Sequence, residues 1–154
     1  MALAGLSIQG TRTMRKRTST LFLSTVFTAG LMSTSAFADT IHLQGKFQPE
    51  HGADSPITGQ VSAELDTTER TLSFHLDNDH LSGPITAAHL HGPATPDKEA
   101  GVLVPILKPY GIEMHGLLHL SAEQVSEVKS GKTYINLHTA KYPAGEARAQ
   151  LTTN

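Results

Sequence analysis

The feature that most constrains this chain is a repeated two-residue alternation of apolar and polar side chains, cut by turn residues at short intervals. The clearest case is the pair 58–66 and 71–77, where Val61, Ala63 and Leu65 answer Leu72, Phe74 and Leu76 around Thr67-Thr68-Glu69-Arg70. Successive side chains of a strand point to opposite faces, so each segment has one face for a core and one for water. His75 falls on the outward face. The same pattern recurs at 41–48, with His42 on the polar side and Pro49 as its stop, and at 85–91. A short, nearly continuous apolar strand is expected at 101–107, where Pro105 implies an edge position or a bulge, and another strand at 112–120, where His115 and His119 share a parity. Two last strands are expected at 132–139 and 145–152, with polar faces carrying Asn136, His138, Glu146 and Arg148. One helix is expected: Ser121 to Gln124 has the form of a capping box, Val125 and Val128 follow, and Gly131 ends it. Short strands with frequent turns and a single short helix predict an all-β fold, an antiparallel sandwich or barrel.

The N-terminus follows a different logic. Arg12, Arg15, Lys16 and Arg17 precede an apolar run at 21–32 and then Ala36-Phe37-Ala38, which reads as a secretory signal over 1–38 with its cleavage site. Met14 stands directly before the basic cluster and is an alternative start. Cleavage leaves 39–154 as one small domain, exported and so periplasmic or secreted. No later stretch approaches the roughly 20 apolar residues of a spanning helix, so no transmembrane segment is expected in the mature chain. All 14 acidic residues but only 8 of the 12 basic ones lie after residue 38, a net charge of −6. That balance argues against nucleic acid as a partner. The chain has no cysteine and all nine histidines follow residue 38, so a bound metal would be held by nitrogen and oxygen.

Those histidines include a stretch of special interest, Thr86-Ala87-Ala88-His89-Leu90-His91-Gly92-Pro93. On a strand His89 and His91 point the same way, which makes them half of a metal site or a plain polar stripe.

Three ordered motifs resemble the CHRD domain family. They are Leu81-Ser82-Gly83-Pro84 running into Thr86 to Pro93, then 131–139 (Gly-Lys-Thr-Tyr-Ile-Asn-Leu-His-Thr), then 143–151 (Pro-Ala-Gly-Glu-Ala-Arg-Ala-Gln-Leu). The resemblance extends over about 41–151 and implies an immunoglobulin-like Greek-key sandwich, with little implied chemistry. One departure is Ala149, where the family usually carries a glycine that would allow close backbone approach.

Three functional readings follow. In the first, a binding module rather than an enzyme holds copper or zinc through His89, His91 and His138, since strands lie about 4.8 Å apart and imidazole suits both metals. His42, His75, His115 and His119 are candidates for further ligands. In the second, a metal-free structural or adhesive module meets a protein partner, its histidines donating to backbone carbonyls and Glu146 pairing with Arg148. The third is a copper-only, superoxide dismutase-like enzyme. No catalytic residues are assigned: Gly-x-Ser-x-Gly is missing, no cysteine nucleophile exists, and no carboxylate pair can be placed.

Overall fold

The structure, a computed structural model, describes residues 39–153 together with Gly10. The expected signal segment and the alternative start at Met14 lie outside the described residues. Eight strands and one helix run in the order β1 (Thr40–Pro49), β2 (Thr58–Asp66), β3 (Thr71–Asp79), β4 (Ile85–His91), β5 (Val102–Ile106), β6 (Glu113–His119), α1 (Ala122–Lys129), β7 (Thr133–Thr139) and β8 (Ala147–Thr153). Every strand expected from the alternation is present, with ends shifted by a residue or two. All the pairings are antiparallel. The sheet order is β5-β4-β7-β8-β1-β2-β3-β6, and the sheet curls until its edges β5 and β6 approach across an unpaired seam. The result is an all-β, nearly closed barrel with one short helix.

Inward residues of opposite walls meet in one core, including Leu43, Val61, Leu65, Leu72, Leu76, Leu90, Ile135, Leu137 and Leu151. Each such side chain contributes about 1.5–3 kcal/mol when fully buried. The helix forms where the sequence places it. Ser121 accepts from the Gln124 backbone N–H, the Gln124 side chain accepts from the Ser121 backbone N–H, and Val125 and Val128 are buried. Pro105 lies on the edge strand β5, where its missing N–H costs least, and β4 shifts register between Leu90 and His91.

β8 lies between β7 and β1 and so joins the two halves of the sheet. Ala149, the departure from glycine noted above, is fully buried there. Its space comes from Gly45 on β1, where a Cβ would stand 3.3 Å from the Ala149 Cβ and 2.5 Å from the Gln150 carbonyl oxygen. The glycine required for close approach sits across the pair.

β7 is the exceptional strand, because all seven of its residues are buried. Thr133, Ile135, Leu137 and Thr139 face the core. Tyr134, Asn136 and His138 face outward, yet segments 50–54, 92–101 and 140–146 roof them. The polar face read from the alternation is a buried polar layer.

Candidate metal centre

β4 and β7 pair so that His91 lies opposite Tyr134, His89 opposite Asn136 and Ala87 opposite His138. His89 therefore has His138 on its diagonal, within reach of a long side chain. The three residues His89, His91 and His138 offer ring nitrogens that all lie within 4.8 Å of one another. His91 and His138 are 8% and 7% exposed, whereas His89 is only half-buried and forms the mouth.

The hydrogen bonds fix which nitrogen is available. His91 Nδ1 is 2.9 Å from the Ala100 carbonyl oxygen, and His138 Nδ1 is 3.0 Å from that of Pro143. A carbonyl oxygen only accepts, so both rings donate from Nδ1 and, when neutral, leave a lone pair on Nε2. His138 Nε2 lies 3.0 Å from His89 Nδ1. His91 Nε2 is buried with no hydrogen-bond partner, a vacancy that typically costs about 1–3 kcal/mol. Burial, then the charges of His138 and His91, lower the pKa of His89 below 6.5. Burial likewise lowers that of His138, outweighing the opposing effect of its bond to Pro143. Neutral imidazole, the form that ligates, is thereby favoured. Bonds of about 2.0–2.1 Å place two nitrogens of a tetrahedral ion about 3.3 Å apart, close to the 3.0 Å between His89 Nδ1 and His138 Nε2.

A second polar group supports the first. Tyr134 stacks on His91 with ring centroids 5.0 Å apart and planes 14° from parallel, and the Arg148 guanidinium lies 3.5 Å over the Tyr134 ring. Arg148 donates to the carbonyl oxygens of Lys98 at 2.6 Å and Thr95 at 2.9 Å, to Gln150 Oε1 at 2.7 Å and to Glu50 at 3.3 Å. Gln150 donates onward to the carbonyls of Ala94 and Gly131. Segment 92–101 is thus tied down by β8, and Glu50 accepts from the Asn136 amide. His51 contacts the Gly145 carbonyl at 3.2 Å and the Glu99 carboxylate at 3.0 Å, linking the three roofing segments.

The expected pairing of Glu146 with Arg148 does not form. Glu146 precedes β8, and its carboxylate accepts from the Ser82 backbone N–H, the Ser82 hydroxyl and the Thr139 hydroxyl at 2.6–2.7 Å. Burial raises its pKa, but those hydrogen bonds outweigh burial and hold it below 4.5. Gly145, at φ +133°, makes this turn beside Asn136, where a Cβ would come within 2.6 Å of the side-chain amide. Arg148 pairs instead with Glu50, 98 residues away in sequence.

Of the further ligand candidates, none joins the trio among the described residues. His42 stands beside Glu64 at 3.4 Å, His75 lies opposite His115, and His119 lies opposite Thr71, all on an exposed face. Sequence reasoning missed Glu50, His51, Tyr134 and Gln150. Glu50 and His51 sit in a turn-rich segment with no pattern to flag them, whereas Tyr134 and Gln150 lay within the motifs already singled out. The described residues contain no helix long and apolar enough to cross a membrane.

Comparison with known proteins gives one match: the CHRD domain family, over residues 40–151. No curated protein and no solved structure matches the chain.

Proposed function

This chain belongs to the CHRD domain family, and from that premise we propose that it is an exported binding module holding copper(II) or zinc through His89, His91 and His138. The observation that carries the reading is the buried His91 Nε2, left without a partner beside two other imidazoles. Two of the three rings are already oriented by carbonyls on their far nitrogens, the arrangement that fixes ring direction and raises basicity at metal centres. Such an ion would have a coordination position open at the His89 side. The sequence features of an export signal and an acidic mature chain fit a module that meets cations outside the cytoplasm.

Calorimetry of the mature domain in a non-chelating buffer is expected to show about one tightly bound equivalent of copper(II) or zinc. His89→Ala, at the half-buried mouth, should weaken it by more than the roughly 10–100-fold that an outer hydrogen-bond partner is worth. Wild-type protein with no saturable uptake would refute the reading.

One observation favours a metal-free interaction module instead: the 3.0 Å contact of His89 with His138 is already a satisfied hydrogen bond. That alternative requires a protein partner whose capture survives alanine at all three histidines and the presence of a chelator.

A further inference from the structure

Four histidines outside the buried trio lie on the open outer face of β1, β3 and β6, and two of them are directly opposed. His75 pairs with His115 across β3 and β6, and Asp77 pairs with Glu113 one step along on the same face. The hydrogen-bond phase of this ladder can be read from its ends. The Leu120 N–H donates to the Arg70 carbonyl at one end, and the Asn78 N–H donates to the Ile112 carbonyl at the other. Bonded pairs alternate along an antiparallel ladder, so the core-facing pairs Leu72 with Leu118, Phe74 with Gly116 and Leu76 with Met114 take the bonds. The outward pairs His75 with His115 and Asp77 with Glu113 are then non-hydrogen-bonded. Cα atoms approach to about 4.5 Å at such pairs and the side chains are closest there.

From this phase we propose that His75 and His115 chelate a second divalent transition-metal ion at the surface, with the Asp77 and Glu113 carboxylates beside it. Both imidazoles are exposed, and the Cβ atoms of such an opposed pair stand about 4.5–5.5 Å apart, a span that rotation of the two side chains can close onto one ion. The flanking carboxylates, one pair along on the same face, supply negative charge. It is open and two-nitrogen, so it binds more weakly than the buried trio and exchanges quickly. The site is independent of the trio, which lies on β4 and β7.

Copper(II) quenching of amide NMR signals tests it, because each bound ion marks its own strands. Titration of the mature protein should broaden residues of β3 and β6 around 75 and 115, at higher copper than any broadening on β4 and β7. His115→Gln and His75→Gln, both surface changes, should each weaken the β3 and β6 step by at least about tenfold while leaving the other patch intact. Absence of broadening on β3 and β6 in the wild type, or a β3 and β6 patch that survives both substitutions, would overturn the proposal. Loss of the β4 and β7 patch alone would count against the buried site and not against this one.

Discussion

On the outer face of β4 and β7, His91, Tyr134, Asn136 and His138 lie beneath three chain segments; on the outer face of β3 and β6, His75 and His115 stand in water. Both pairs of strands present histidines at outward positions, with the same alternation behind them. The difference is made by partners distant in sequence. Arg148 and Gln150 hold 92–101 over the first face through three backbone carbonyls, Glu50 reaches Asn136 from 86 residues away, and nothing comparable crosses the second face among the described residues. A polar residue on a strand therefore acquires its chemistry from what covers the strand.

The largest expected break in this contrast is Arg148→Ala. Removing one member of a buried ion pair leaves Glu50 uncompensated, releases two carbonyls of the roof and exposes Tyr134, so a loss of about 3–5 kcal/mol is expected in urea unfolding. Survival of full stability would mean that the roof stands without its arginine. A smaller, paired measurement comes next. His138→Ala should cost about 1–3 kcal/mol in the metal-free protein, because the Pro143 carbonyl loses its donor. His75→Ala on the bare face should stay within about 0.5 kcal/mol, and equal costs at the two positions would erase the distinction. The smallest effect is in pH. His89 and His138 bind protons less readily folded than unfolded, so the unfolded state takes up more protons as pH falls through about 6.5. The metal-free domain should accordingly lose stability across that window, with none of this loss above it. The slope should shrink in His89→Gln and in His138→Gln; an unchanged slope in both would place its origin elsewhere.

The strands were legible because alternation is local: Val61, Leu65, Leu72 and Leu76 announce their face within nine residues, and Ser121 with Gln124 announces the helix. The trio was legible in part, since His89 and His91 share a strand face and His138 lies on a strand that could approach them, whereas the β4–β7 pairing itself came only from the fold. The roof was not. Glu50 stands one residue past a strand in a turn, and its two partners lie on β7 and β8. The expected Glu146 pairing failed for a related reason: two-residue spacing implies a shared face only inside a regular strand, and Gly145 bends the chain just before β8 begins.

The position of β8 sets the order in which the candidate centre can be assembled. Until this last strand is made, β1, β2, β3 and β6 form one ribbon and β7, β4 and β5 another, with no ladder between them. The anchors Arg148 and Gln150 arrive on the same strand that joins the ribbons. Long-range closure of this kind is slow and late in folding. A nascent chain thus has its histidines but not the packed surroundings that orient them. If the chain is exported and holds metal as proposed, the ion captured would be the one available in the compartment where folding finishes, whatever the ions present where synthesis began.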